Sequence, residues 1–324
     1  MRAVRVHEFG GPEVLVAEEV PEPVAAAGQV VVGMDAADVI FLDTLLRGGW
    51  GQEFFPRHPP YVPGVGGAGQ VLSVGADVDP AWLGRRVVAR GDEGYAERIV
   101  YSAEEIVAVP DGLSSAEAAA LVNDGVTALS LVRRADIRKD EWVLIAAATG
   151  GAGSLLVQLA RDAGARVVAA ARGERKLALA RELGAEVVVD YSVDGWQQSV
   201  PRVGLAFDGA GGALGRAAFE TVAEGGRFVT YGTSDGFADI DPELAARRQV
   251  QVTNALGDGP PDTATANELL AEALTLTAQG RIRPVIGATY PLERASEAHR
   301  SLEARTTLGK SLLITAAGAG SSAP

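Results

Sequence analysis

Short apolar runs, broken by glycine and proline, dominate the first third of the chain. Arg2–Val6, Gln29–Met34, Gly69–Ser73, Arg86–Ala89, Arg98–Tyr101 and Ile106–Val109 each read as a strand. Short strands at this spacing predict a compact, mostly β domain. Between them, Arg47–Pro63 carries glycines, prolines, Trp50, Phe54, Phe55 and His58, and reads as a loop. From residue 125 the rhythm changes. Trp142–Ala148 is an apolar run, and Gly153–Ala163 has a helical pattern with Leu155, Leu156, Leu159 and Ala163 on one face. Arg166–Ala171, Glu186–Asp190, Leu205–Asp208, Arg227–Gly232 and Val250–Leu256 read as strands, with helices at Glu174–Leu183 and near Leu214–Ala223. Strands alternating with helices predict a parallel, doubly wound α/β sheet. Residues 261–324 hold two helical patterns, Ala266–Gln279 and Leu292–Glu303, then a strand at Ser311–Thr315. The small, polar tail AAGAGSSAP is expected to fray.

At 324 residues the chain suggests two domains. Its 47% apolar and 22% charged residues are those of a globular protein. Asp and Glu number 42 against 29 Lys and Arg, a net charge of −13. Such an acidic surface repels phosphate backbones and anionic lipid, so neither nucleic acid nor membrane is an expected partner. There is no cysteine, which excludes disulfides, thiolate zinc sites, iron–sulfur clusters and a cysteine nucleophile. No metal site is expected, since His58 stands alone on its loop. The start MRAVRVHEFG lacks a signal-peptide core and no apolar run approaches the ~18 residues of a spanning helix, so a cytoplasmic protein is expected.

The clearest chemical signal is Ala148-Thr149-Gly150-Gly151-Ala152-Gly153, between a predicted strand and a predicted helix. Small residues there let the backbone turn tightly and approach a pyrophosphate, while the helix start offers N–H groups and a positive dipole end. About 20 residues further on, an acid would bind a ribose 2′-hydroxyl and a base would accommodate a 2′-phosphate. This chain has Arg172 there, followed by Lys176, and no acid at the strand tip. The pair favours NADPH over NADH. The competing reading is that Arg175 and Lys176 are ordinary solvated charges on a first helical turn.

These features sit among longer ordered matches: His7-Glu8-Phe9-Gly10-Gly11-Pro12-Glu13-Val14-Leu15, Pro63-Gly64 with Gly67-Ala68-Gly69, Gly94-Tyr95-Ala96-Glu97, Val109-Pro110-Asp111-Gly112-Leu113-Ser114, Gly125-Val126-Thr127-Ala128, Leu183-Gly184-Ala185, Ala298-His299-Arg300-Ser301-Leu302-Glu303 and Gly309-Lys310. With them the chain resembles the medium-chain dehydrogenase/reductase superfamily, from Met1 to about Thr315, and within it the zinc-independent quinone oxidoreductase branch. The resemblance implies a GroES-like, mostly β catalytic domain from 1–124 and 261–324, and a Rossmann NADPH-binding domain from 125–260. It places the active site where the two meet. It implies cofactor contacts at Thr127, Thr149, Gly150, Gly151, Ala152, Arg172, Lys176, Tyr191, Gly232 and Lys310. Zinc-dependent relatives use cysteine and histidine ligands that this chain lacks.

On the substrate side the chain departs from the pattern. Ile40 stands where the family usually has asparagine, and Gly66 where it often has glutamate. A loop tyrosine common in the branch has no clear counterpart; Trp50, Phe54 and Tyr61 are the nearby aromatics. Ile40, Trp50 and Tyr61 are expected to line the substrate cleft. Asp43 and Tyr61 are the nearby proton-donor candidates, and Asp43 reads first as a capping or hydrogen-bonding residue. The implied activity is zinc-independent hydride transfer from NADPH to a quinone or conjugated carbonyl. The alternatives are an enoyl reductase acting on an enone or thioester, as in secondary metabolism, and a non-catalytic NADPH-binding protein. The resemblance also implies a homodimer pairing edge strands, here Val250–Leu256.

Overall fold

In the computed structural model, which describes residues 1–257 and 259–321, the chain forms two compact units. One contains Met1–Val126, Asp262–Gly280 and the chain from Pro284 on; the other contains Thr127–Pro261 and Arg281–Arg283.

The first unit opens with β1 (Arg2–Val6) antiparallel to β2 (Leu15–Glu19). Then come β3 (Gln29–Val39), α1 (Phe41–Arg47), β4 (Gly66–Val74), β5 (Arg86–Arg90), β6 (Arg98–Ser102), β7 (Ile106–Ala108) and α2 (Ser115–Ala119). Ser114 caps α2, its hydroxyl accepting from the Glu117 N–H. The strand read as Gln29–Met34 continues to Val39. Its pattern breaks at Asp35 and Asp38, yet its far end pairs with β4 and with a strand from the end of the chain. The segment read as a loop from Arg47 begins inside α1, because Arg47 is that helix's last residue.

Helix α3 (Asp124–Ala135) leads into the second unit, built from β8 (Trp142–Ala146), α4 (Gly151–Asp162), β9 (Arg166–Ala171), α5 (Glu174–Leu183), β10 (Val187–Asp190), β11 (Val203–Asp208), α6 (Gly212–Thr221), β12 (Val222–Thr230), α7 (Pro242–Arg247) and β13 (Gln251–Asn254). The strands form one parallel sheet in the order β10-β9-β8-β11-β12-β13. Its strands read as continuous apolar runs because their residues are buried, and Leu144, Val168, Ala206, Phe219 and Phe228 share one core. Val222 and Ala223, read as helix, start β12. The strand read as Val250–Leu256 is shorter, since Ala255–Gly257 turn away.

The chain returns to the first unit in α8 (Thr263–Ala278), β14 (Ile286–Pro291), α9 (Ala295–Glu303), β15 (Lys310–Ile314) and α10 (Ala316–Ser321). A 3-10 turn at Leu292–Arg294 precedes α9 in place of one continuous helix. Residues 316–321 of the tail are helical rather than frayed, the Ala319 N–H donating to the Thr315 carbonyl and the Gly318 N–H to the Thr315 hydroxyl, while 322–324 lie outside the described residues. Arg281–Arg283 join the second unit because both backbone groups of Arg283 bond the Gln158 amide, at 2.9 Å each, and Arg281 pairs with Asp162. The first unit's main sheet runs β14-β15-β3-β4-β5-β7, with β6 also on β3.

Candidate active site and cofactor cradle

Strand β8 ends at Ala146, and the chain turns through Ala147, with φ +57°, into α4. Gly150 is the extended N-cap of α4 and no side chain caps it. At Gly153 an added Cβ would lie 2.2 Å from the Ala147 carbonyl oxygen, so only glycine lets the helix start this close to the strand. Thr149 and Ala152 are buried, and Gly150 and Gly151 half-buried. Bare N–H groups at a helix start, with no side chain in the way, fit a pyrophosphate.

The tip of the neighbouring strand β9 is shaped by an acid that sequence reasoning passed over. Asp190, at the end of β10, accepts from the Gly173 N–H at 3.0 Å and from the Ser192 N–H and hydroxyl at 2.9 and 2.6 Å. The Ser192 hydroxyl and those backbone N–H groups, with Arg172 adding its charge, hold this carboxyl below the usual carboxylate range. Asp190 thereby fixes the turn that leaves Arg172 exposed on the strand tip, with Lys176 half-buried one turn into α5. Tyr191 packs against the core of the unit, Gly232 is half-buried beyond β12, and Thr127 lies half-buried in α3.

In the first unit, α1 and β3 carry the other candidates. Asp43 is buried, and its Oδ2 accepts from the Ile40 N–H and from the Tyr95 hydroxyl, both at 3.0 Å. The bond to Ile40 closes the first turn of α1. A chain of bonds continues behind it: His299 Nε2 lies 2.9 Å from the Tyr95 hydroxyl, and Arg47 Nη1 lies 3.1 Å from His299 Nδ1. Arg47 also pairs with Glu303. A guanidinium only donates, so Nδ1 accepts and Nε2 carries the hydrogen, which goes to Tyr95, whose own hydrogen goes to Asp43. Burial, then the Arg47 charge, pushes His299 down to about 3, so the ring stays neutral. Burial pushes Asp43 up to about 6 against its hydrogen bonds.

Asp43 and Tyr61 face one small cavity, of about 20 Å3, with Arg57, Pro63 and Gly64 on its wall. That is room for a single water. The Tyr61 hydroxyl is buried there without a protein hydrogen-bond partner, and burial raises its pKa. Ile40 is half-buried, while Trp50 and Phe54 are exposed at 42% and 69%. Gly66, which replaces the expected glutamate, has φ +114° and room for nothing else: a Cβ would lie 2.2 Å from the Ala89 carbonyl oxygen. Lys310 is buried and ion-paired with Asp38 and Asp124. Sequence reasoning missed both acids: Asp38 because an aspartate in a buried strand runs against the pattern used to find strands, and Asp124 because at the start of α3 it reads as an ordinary first-turn acid.

Residues 26–115 match the alcohol dehydrogenase GroES-like domain, and residues 183–313 a domain described as zinc-binding dehydrogenase. A mouse quinone oxidoreductase is 32% identical over 93% of this chain and 94% of its own. The chain belongs to the medium-chain dehydrogenase/reductase superfamily, in its quinone oxidoreductase branch. A 2-haloacrylate reductase from Burkholderia is 29% identical over 96% of this chain and 98% of its own. The Escherichia coli quinone oxidoreductase, solved as a complex with NADPH, superposes with a TM-score of 0.89 at 28% identity, covering 97% of this chain and all of that one. The fold is accordingly the superfamily's, a GroES-like domain and a parallel-sheet nucleotide-binding domain. Zinc does not fit this branch member: the sequence has no cysteine, and among the described residues no group of three His, Asp or Glu could hold a metal.

Proposed function

We propose that the protein is an NADPH-dependent reductase that delivers hydride to a quinone or a conjugated carbonyl. The observation that carries this reading is the glycine turn opening α4, together with Arg172 at the tip of the adjoining strand, where the nearby Asp190 is engaged by the Gly173 and Ser192 N–H groups. Gly151 and Ala152 would hold the pyrophosphate through backbone N–H groups, Gly150, whose own N–H donates to the Ala147 carbonyl, would let the backbone come close, and Arg172 and Lys176 would hold the 2′-phosphate. When bound, NADPH supplies the hydride. The protein's share is to orient and exclude water. A quinone needs little more, since hydroquinone oxygens can take protons from solvent.

Reduction of a carbon–carbon double bond is the second reading, and the 2-haloacrylate reductase among the relatives favours it. It needs a proton at a defined carbon. The Tyr61 hydroxyl, buried without a protein partner in the small cavity that Asp43 also lines, would pass one. Asp43 acts behind it as an acceptor. Ile40, Trp50 and Tyr61 would line the substrate side. The protein would work as a homodimer through β13, the exposed edge of its sheet, and in the cytoplasm; no helix among the described residues is long and apolar enough to cross a membrane.

Titration with both cofactors tests the core of the reading. Hydrogen bonds to charged groups contribute about 1.5–3 kcal/mol. Arg172→Ala should therefore weaken NADPH roughly ten- to a hundredfold and leave NADH nearly unchanged. Lys176→Ala should act in the same direction, less strongly. Equal NADH and NADPH affinity in the unaltered protein would refute the phosphate site. Turnover against a panel of quinones and enones separates the two substrate readings.

A further inference from the structure

The small cavity beside Asp43 lies wholly within the first unit. Helix α1 brings Asp43 and Leu46 to it, and the segment leading into β4 brings Arg57 and Tyr61. Its volume is about 20 Å3. A water needs about 10–15 Å3 and two to four polar partners. Three groups on the wall can supply them. The Tyr61 hydroxyl is buried and has no hydrogen-bond partner in the protein. A buried hydroxyl left so is costly, and a water removes that cost. Asp43 uses Oδ2 for both of its protein hydrogen bonds, from the Ile40 N–H and the Tyr95 hydroxyl, which leaves Oδ1 for the cavity. The Arg57 side chain pairs with Asp92 and is 32% exposed, so its side of the wall reaches the surface.

Behind Asp43 the polar chain supplies no protons. Arg47 only donates, so His299 Nδ1 accepts, the Nε2 hydrogen goes to Tyr95, and the Tyr95 hydrogen goes to Asp43. Passing a proton forward along this chain would leave His299 as an imidazolate. Asp43 therefore gains and loses protons at the cavity.

We infer that the proton donor for double-bond reduction is one ordered water held in this cavity by Tyr61, Asp43 and Arg57, and that Asp43 recharges it. This rests on the second reading above, reduction of a carbon–carbon double bond. Hydride reaching one carbon of that bond leaves an electron pair at the other, next to the carbonyl. The pair takes a proton from the water: a C–H bond forms and an O–H bond breaks. The hydroxide left behind takes the carboxyl proton of Asp43, and the carboxylate regains a proton from solvent on the Arg57 side. The Tyr61 hydroxyl donates to the water oxygen and stabilises the charge that builds there. Tyr61 and Asp43 act through the water and are positioning residues; Tyr95, His299 and Arg47 hold Asp43 in place. Asp43 titrates in a range that suits such a donor. Burial pushes it up to about 6, against the Ile40 and Tyr95 hydrogen bonds and the charges of Lys310 and Arg57, and Asp38 is the other acid acting nearby.

The test uses the whole protein with NADPH, cyclohexenone as the enone and benzoquinone as the quinone, followed from about pH 5 to about pH 8. A crystal structure of the unaltered protein, at a resolution that shows waters, goes with it. Enone turnover should fall as pH rises through about 6, and quinone turnover should not follow it. Asp43→Asn keeps the shape and an oxygen for Ile40 and Tyr95 but has no carboxyl proton to give. It should lower enone turnover about a hundredfold, abolish the fall with pH and lower quinone turnover less. Tyr61→Phe removes one bond to the water and should cost the enone about tenfold, with the fall with pH retained. The crystal structure should show one water within hydrogen-bond reach of Tyr61 Oη and Asp43 Oδ1. A dry cavity overturns the inference, and so does an enone reductase whose turnover does not fall with pH. Equal losses for enone and quinone in both variants, with a lower melting temperature, would make the cluster structural only and overturn it too. Should Asp43→Asn not fold, Tyr61→Phe and the water decide in the same way. A protein that reduces the quinone and no enone refutes the second reading itself, whatever the cavity holds.

Discussion

One methyl group at Gly153 separates a helix start that can approach a phosphate from one that cannot. The added carbon would meet a backbone oxygen, which cannot swing aside as a flexible side chain could. Gly153→Ala should therefore push α4 away from the Ala147 turn, cost about 1–3 kcal/mol of stability and weaken NADPH binding, read by thermal melting and titration. This glycine was legible in the sequence because its neighbours spell a strand, a turn and a helix. Gly66 was legible only as a missing glutamate. That no side chain fits there depends on its left-handed backbone and on Ala89 in the facing strand β5, neither of which a linear pattern carries. Asp38 was not legible at all. Its role exists only once Lys310 and Asp124, far off in sequence, are brought to it.

Helix α1 is short, yet it holds both ends of the polar chain from Arg47 through His299 and Tyr95 to Asp43. The Tyr95 ring stands edge-on to His299 at 5.7 Å, so packing and hydrogen bonding fix the same geometry. Tyr95→Phe keeps the ring and removes the hydroxyl, leaving the His299 N–H without its acceptor. A loss of about 1–3 kcal/mol is expected, seen as a lower melting temperature. If Asp43 supports the proton path, turnover of an enone should also fall more than turnover of a quinone. At the other unit's edge, β13 leaves Val252 exposed at 44%. Light scattering at micromolar concentration should show a dimer, and Val252→Lys should shift it toward monomer by charging the edge. The alternation of strand and helix here was readable from apolar spacing. Strand ends were not, because β12 and β13 stop where a neighbour stops pairing with them.

Across the whole molecule, buried titrating groups set how stability follows pH. Asp38 and Asp43 are raised by burial from 3.8 to about 7 and about 6, so each binds a proton in the folded state that the unfolded chain has already released. Their stabilisation is complete below the unfolded value and is lost as pH rises through the folded one. His299 works the other way: lowered from 6.5 to about 3, it contributes stability above 6.5 that is lost as pH falls toward 3. Above pH 6.5 the aspartates act alone, so the melting temperature should drop between pH 6 and pH 8. Asp38→Asn should flatten that drop, and a profile as steep as the original would refute the assignment. By itself the sequence determined the α/β alternation, the glycine turn, the basic strand tip and the impossibility of a thiolate metal site, because each is a matter of residue type at short spacing. Tertiary structure alone decided the buried Asp38–Lys310–Asp124 trio, the turn held by Asp190, the lone hydroxyl of Tyr61 and the polar chain behind Asp43. Those depend on groups tens to hundreds of residues apart meeting out of water, where burial gives a carboxylate or a hydroxyl a chemistry it does not have in an open chain.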